Sequence, residues 1–236
     1  LNRVGIVFLT LFLVTAVDQW LKIWVKTNLY IGESAVDFGF MEIYFIENNG
    51  MAFGTELGGT IGKLALTLFR LAAIVALGFY IYNLMKKRAN TGLLVAISLI
   101  IAGAFGNLVD SLFYGILFNE SPEYFFRDVI PPAEMFPAEG GYAPFMHGKV
   151  VDMLHVTLNW PEWVPGLGGS SVFPPVFNVA DTSITVGVFM ILIWQKRYFP
   201  KRKKEDEPAS SLLANQTQES PAEPGTVSEA TPDSES

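Results

Sequence analysis

Cysteine is absent from this chain. That excludes disulfides, thiolate nucleophiles and cysteine-ligated zinc. Histidine is nearly as scarce. Only His147 and His155 occur, their H-x7-H spacing fits no common zinc pattern, and H-E-x-x-H is missing. The G-x-S-x-G elbow and the P-loop are missing too, so serine-hydrolase and nucleotide-hydrolase chemistry lack their motifs. Charge is thin: 17% of residues are Asp, Glu, Lys or Arg, against about 25% in ordinary soluble domains. The formal net charge of −7 arises at one end of the chain. From Glu205 onward there are eight acids and no base, which leaves 16 basic against 15 acidic side chains elsewhere.

Hydrophobic residues make up half of the chain. Four apolar runs, at about 4–24, 61–85, 93–118 and 176–194, reach the ~20 residues that a bilayer requires. Basic residues gather before the first run (Arg3), between the second and third (Lys86-Lys87-Arg88), and after the fourth (Lys196, Arg197, Lys201 to Lys204). The positive-inside rule then predicts that both termini and the short second loop are cytoplasmic, with 26–60 and 119–175 on the opposite face. Run one has the look of a signal peptide, but no small-x-small cleavage site precedes Asp18 and apolar character resumes at Trp20-Leu21, so a retained helix is expected. The expected fold is an α-helical integral membrane protein with four transmembrane helices and small β-rich elements between spans one and two and spans three and four. One membrane domain, 1–200, precedes a basic then acidic tail, 201–236, whose Ser/Pro/Glu/Ala/Thr composition predicts disorder.

The outer segments divide further. Segment 35–54 mixes aromatic and β-branched residues with period-two stretches, predicting short strands with a turn at Asn48-Asn49-Gly50. Val150–Leu158 alternates and predicts another strand. Segment 119–148, rich in Pro, Glu, Gly and aromatics without periodicity, reads as a long external loop. Trp160 and Trp163 suit a membrane–water interface.

A carboxylate in an apolar run is costly, about 2.5–3.5 kcal/mol near the bilayer centre on insertion scales. Two acids stand out on that ground. Asp181 heads the fourth run, and Asp152 lies in Val150-Val151-Asp152-Met153-Leu154. If the two converge, both cannot ionise at neutral pH and they share a proton, which yields one general acid and one general base. If Val150–Leu158 is a strand, Asp152 faces away from both histidines by parity, which argues against a shared metal site. Asp18 and Lys22 are spaced i, i+4 and suit a mutual ion pair. Asn107 and Asp110, at i, i+3 beside Gly103 and Gly106, form a polar stripe over small residues that permits close helix approach. Arg70 in the second run either snorkels to the interface or meets an acid. A proton-coupled transporter using the same acids is an alternative, but it needs acids along a path and broken helices or internal repeats. Here the acids gather on the outer side and no repeat is seen. A non-catalytic scaffold is a third reading, and it requires that Asp152 and Asp181 tolerate Asn.

Five short blocks, in order, resemble the lipoprotein signal peptidases (signal peptidase II) of bacteria. They are Asp18-Gln19 with Lys22; Asn48-Asn49-Gly50-Met51-Ala52-Phe53-Gly54; Gly103-Ala104-Phe105-Gly106-Asn107-Leu108-Val109-Asp110; Val150-Val151-Asp152; and Phe177-Asn178-Val179-Ala180-Asp181. The resemblance runs from about Val4 to Trp194 and leaves out the tail. It implies that Asp152 and Asp181 are a catalytic dyad. Asn48, Gly50, Asn107, Asp110 and Asn178 would orient substrate or support the dyad, with Asp18 and Lys22 nearby. It further implies a metal-independent aspartic endopeptidase with no cofactor, in the bacterial cytoplasmic membrane. The expected substrate is a prolipoprotein, cut N-terminal to a cysteine that carries diacylglycerol. Membrane lipids and such prolipoproteins are the expected partners, with no nucleic acid, and a monomer is expected. Predicted strand edges would hold the extended signal peptide. The chain departs from the family pattern at Ser111, where the family often has Arg, so that any contact made by the Arg is absent or supplied elsewhere. Segment 119–148 is also longer than the family leads one to expect.

Overall fold

The structure is a computed structural model that describes residues 1–48 and 59–200. Residues 49–58, Gly50 among them, and the tail 201–236 lie outside the described residues. In chain order the elements are helix α1 (Arg3–Asn28), strands β1 (Ser34–Asp37) and β2 (Met41–Asn48), helices α2 (Gly59–Lys86) and α3 (Thr91–Val109), a π-helical turn Asp110–Tyr114, helix α4 (Gly115–Leu117), strand β3 (Val150–Val156), and helices α5 (Val179–Ile193) and α6 (Gln195–Tyr198).

Three helical stretches, Arg3–Asn28, Ile61–Lys86 and Thr91–Leu117, are long and apolar enough to cross a membrane. The fourth is shorter than the sequence leads one to expect. α5 has 15 residues, about 22 Å at 1.5 Å per residue. Its start is delayed to Val179 because Asn178 is its N-cap, with extended backbone and a side-chain oxygen that accepts the Asp181 amide at 2.9 Å. Large apolar side chains point outward along these helices, Phe8 and Phe12 on α1, Phe69 and Phe79 on α2, Phe189 and Ile193 on α5. In water such a surface would be a liability; against lipid it is the stable one.

α3 is the central helix and packs against α1, α2 and α5. Glycine makes its closest crossings possible. A Cβ on Gly103 would lie 2.2 Å from the Ala180 carbonyl oxygen, and one on Gly106 would lie 2.5 Å from Asp18 Oδ2. The stripe predicted at Gly103 and Gly106 is therefore where α5 and α1 press against α3.

The strands form one antiparallel sheet in the order β1-β2-β3. It joins the segments 26–60 and 119–175, since β2 pairs with β3 in a register that sets Ile46 opposite Asp152 and Asn48 opposite Val150. The reversal between β1 and β2 occurs at Phe38-Gly39-Phe40, where Gly39 adopts a φ of +84°. Asn48, assigned to a turn from sequence, is the last residue of β2. The strand edge beside Asp152 is not open to a peptide as expected. The Met153 and Leu154 amides both donate to the Phe177 carbonyl, and the Phe177 amide donates to Leu154 O. That pairing sets Asn178 beside β3.

The long loop after α4 is irregular apart from a 3-10 turn at Tyr124–Phe126, yet it is anchored. The amides of Phe136, Tyr142, Ala143, Met146 and Gly148 donate to the carbonyls of Leu117, Phe118, Gly115, Leu112 and Ser111. The loop thereby satisfies carbonyl groups that the end of the third helical stretch leaves unpaired.

Candidate active site

Asp152 is buried on β3, 2% exposed. Its Oδ1 accepts from Asn178 Nδ2 at 2.6 Å, and its Oδ2 accepts from Asn48 Nδ2. Burial pushes its carboxyl up to about 8, and the nearby charge of Asp181 adds to the rise; Lys22 and the Asn178 hydrogen bond oppose it. Asp181, half-buried in the first turn of α5, accepts at Oδ1 from Asn107 Nδ2 at 2.8 Å. Two amide side chains link the aspartates: Asn178 Nδ2 also donates to Asn107 Oδ1 at 3.0 Å.

The orientation of Asn107 is fixed from behind. Lys22 Nζ lies 2.8 Å from Asn107 Oδ1. An ammonium can only donate, so the amide oxygen must face Lys22 and the NH2 must face Asp181. Lys22 is fully buried, and its other two donors meet Asp18 Oδ2 at 2.9 Å and Asp110 Oδ2 at 2.8 Å. Three N–H groups thus meet three oxygens. The predicted Asp18–Lys22 pair is present, enlarged by Asp110 from α3. Gln19 ties the same cluster together, with Nε2 3.2 Å from Asp18 Oδ2 and 2.9 Å from Asp110 Oδ1. Asp110 Oδ2 also accepts the Val151 amide at 3.3 Å, which joins α3 to the strand that carries Asp152.

Of the residues singled out in the sequence, Asp18, Lys22, Asn48, Asn107, Asp110, Asp152, Asn178 and Asp181 converge. Gly50 lies outside the described residues. The histidines are elsewhere: His155 Nδ1 is 2.7 Å from Glu42 Oε1, and His147 Nδ1 is 2.9 Å from the Phe145 carbonyl. Lys149, the nearest base in sequence to Asp152, pairs with Glu120, with Glu47 Oε2 3.6 Å away. Burial acts against its charge, but these carboxylates prevail and raise its pKa.

Sequence reasoning passed over a second ionic cluster. Lys26, fully buried on α1, meets Glu47 of β2 and donates to Ser121 Oγ at 2.7 Å. Ser121 Oγ in turn donates to Glu47 Oε1 at 2.8 Å. Lys26 recurs four residues after Lys22, an i, i+4 signal that was available. Its partner, sitting next to Asn48 on an otherwise ordinary strand, was not. The sequence leaves Arg70 either to snorkel to the interface or to meet an acid. Its Nη1 donates to Ser111 Oγ at 3.1 Å, so a guanidinium supplied from α2 meets the residue at the position where the family often has Arg.

The fold and this buried polar centre define a multi-pass membrane enzyme. Two solved structures of a bacterial membrane enzyme, obtained by the in meso method at 2.3 Å and 1.9 Å resolution, are similar to it. The first is 26% identical and the match covers 86% of this chain and 94% of that one; the second is 27% identical over 81% and 92%; the TM-score is 0.51 for both. Signal peptidase (SPase) II, the A8 family of peptidases, matches residues 10–196. Lipoprotein signal peptidases of Porphyromonas gingivalis (45% identical, 78% of this chain and 80% of the relative) and Amoebophilus asiaticus (33% identical, 88% and 82%) are among its relatives. The chain belongs to the signal peptidase II family of aspartic peptidases.

Proposed function

We propose that Asp152 and Asp181 are the catalytic pair with which this lipoprotein signal peptidase removes signal peptides from lipoprotein precursors. The observation that carries the reading is the Asp152–Asn178–Asn107–Asp181 hydrogen-bond chain, which joins two carboxyl groups from different elements in a buried setting. With its carboxyl pushed up to about 8, Asp152 holds a proton at neutral pH. Asp181 is then the base. It takes a proton from water as the oxygen attacks the scissile carbonyl carbon, while Asp152 gives its proton to the carbonyl oxygen. Collapse of the tetrahedral intermediate breaks the C–N bond. The amine leaves with the proton held by Asp181, and Asp152 is reprotonated from the hydroxyl.

The amides of Asn48, Asn107 and Asn178 support this reading as fixed dipoles around the pair, which stabilise developing charge without reorganising. Asp18, Lys22 and Asp110 act behind them by holding Asn107. The substrate is a precursor whose cysteine carries diacylglycerol, cut N-terminal to that cysteine, its acyl chains lying in lipid between the helices. α5 makes a fourth crossing of the cytoplasmic membrane, both termini are cytoplasmic, and the pair lies toward the outer face of a monomeric enzyme whose domain ends near residue 200.

A gel-shift cleavage assay in detergent tests this. It uses a diacylglyceryl-modified prolipoprotein with wild type, Asp152→Asn, Asp181→Asn and added chelator. Cleavage by wild type that withstands chelator and disappears in both folded variants is the expected result. Turnover retained by either variant moves the chemistry elsewhere.

A further inference from the structure

Arg70 stands in α2 between Phe69 and Leu71, both exposed toward the lipid-facing surface. A guanidinium in such a helix is costly unless it finds polar company. Arg70 Nη1 donates to Ser111 Oγ at 3.1 Å. Ser111 is 3% exposed and sits in the π-helical turn directly after Asp110. Its own hydroxyl proton goes to the Asn107 carbonyl oxygen at 2.9 Å, so it offers Arg70 a lone pair. Ser111 thus bonds to the backbone of the residue whose side-chain NH2 donates to Asp181 Oδ1. The acids close enough to act on the guanidinium are Asp181, Asp110 and Asp152.

We propose that Arg70 is a positioning residue of the peptidase site, whose permanent positive charge, held in place by Ser111, keeps the shared proton on Asp152 and leaves Asp181 as the base. This rests on the reading of Asp152 and Asp181 as the catalytic pair. Among the described residues, the charged groups facing the pair are Lys22 from α1, with Asp18 paired to it, Asp110 from the turn after α3, and Arg70 from α2. β2 contributes the neutral Asn48, while its Glu47 is turned to Lys26. Lys22 is held by Asp18 and Asp110 at 2.9 Å and 2.8 Å, so its charge is shared with those carboxyl groups, and Arg70 adds a second positive charge on the side of Asp181. An arginine also suits the task because it stays protonated at every working pH. The guanidinium ends beside Ser111 Oγ, so a side chain extended from position 111 on the neighbouring helix can deliver the same charge to the same place.

The test uses the purified full chain in detergent and a diacylglyceryl-modified prolipoprotein, with kcat and KM measured from about pH 5 to about pH 9. Variants are Arg70→Gln, Arg70→Ser, the exchange R70S/S111R, and Asp181→Asn, each checked for a monodisperse elution profile. Arg70→Gln is expected to lower kcat by about 100-fold and to change KM by less than about threefold. Without the positive charge the base is harder to deprotonate, so the acidic limb of kcat/KM is expected to move up by about one pH unit. The exchange is expected to recover at least about tenfold of the kcat lost in Arg70→Ser. A folded Arg70→Gln enzyme with kcat and acidic limb as in wild type overturns the proposal. So does a folded exchange variant that recovers nothing, and this second criterion still decides if Arg70→Gln does not fold. Turnover by Asp181→Asn overturns the underlying reading of the pair, an outcome distinct from loss in Asp181→Asn with Arg70→Gln fully active.

Discussion

Asp18 Oδ1 accepts the backbone amide of Ala180 at 2.9 Å, so an acid on the first helix caps the first turn of a helix that begins more than 160 residues later. Its other oxygen meets Lys22. One side chain thus closes an open helix end, balances a buried cation and holds α1 against α5. Asp18→Ala removes all three functions together. Taking one partner from a buried ion pair costs about 3–5 kcal/mol, and the retained Lys22–Asp110 contact predicts the lower end of that range. Asp18→Asn keeps an acceptor for Ala180 and is expected to lose less. Thermal unfolding in detergent ranks the two; equal losses would contradict the capping role.

The carboxyl of Asp152 gives stability a pH dependence. Its pKa is raised from 3.8 to about 8 in the folded protein. The folded state therefore holds a proton that the unfolded state releases, and this contribution, complete below pH 3.8, is lost as pH rises through about 8. Asp152→Asn cannot ionise. Its melting temperature is expected to exceed that of wild type at alkaline pH, by about 2–4 °C for each kcal/mol of relief, and the gap is expected to close in acid. A gap that stays constant across pH would show that Asp152 binds its proton no more tightly in the folded protein than in the unfolded one.

Gly103 and the Ala180 carbonyl leave no room for a methyl group, since a Cβ would lie 2.2 Å from that oxygen. Gly103→Ala must push α3 and α5 apart. Overpacking of this kind costs about 1–3 kcal/mol, and here it also draws Asn107 away from Asp181. Cleavage is expected to fall further than the melting temperature alone accounts for. An active, fully stable Gly103→Ala enzyme would mean that the two helices yield at no cost.

Glu47 precedes Asn48, a hydrogen-bond partner of Asp152, and is tied to buried Lys26. Glu47→Gln leaves Lys26 facing a neutral group, at a cost of about 3 kcal/mol. Replacing both residues, as Lys26→Met with Glu47→Leu, is expected to recover most of that loss, because an apolar pair needs no compensation. A double-mutant cycle on melting temperature measures the coupling. Additive losses would rule out direct pairing.

His155 and Glu42 provide the contrast. They form an ion pair only when the histidine is protonated, and both remain partly exposed on the sheet. The Ser34 hydroxyl first, then His155, hold Glu42 below the usual carboxylate range. Glu42→Gln is expected to change stability by less than about 1 kcal/mol and to leave cleavage near the wild-type level. Loss of activity in that variant would extend the site onto the sheet.

Much of this was legible in the sequence because membranes and buried charge are demanding. Asp18, Lys22, Asp110, Asp152 and Asp181 stand out among apolar neighbours, and each occupies the buried centre or its border. The three long helices announced themselves by length and hydrophobicity. The late start of α5 was less legible, since the cap at Asn178 depends on which of several polar residues turns its side chain to the Asp181 amide. The pairing of Phe177 with β3 could not be read either, because backbone hydrogen bonds leave no mark on side-chain pattern. Nor could the Arg70–Ser111 contact, for a helical period tells which face a residue shares and not which helix covers that face.

The strand pairing of β2 with β3, and the docking of Asn178 beside them, has a consequence for how the enzyme comes into being. Asp152 takes its two hydrogen bonds from Asn48 and Asn178, which the ribosome delivers about 130 residues apart. Neither a nascent chain halted after the third helical stretch nor one halted after β3 contains both donors and Asp181. With Asp152 and Asp181 as the proposed catalytic pair, proteolytic competence arrives late and all at once, only after α5 has been made, and unfinished copies pose no threat to their neighbours.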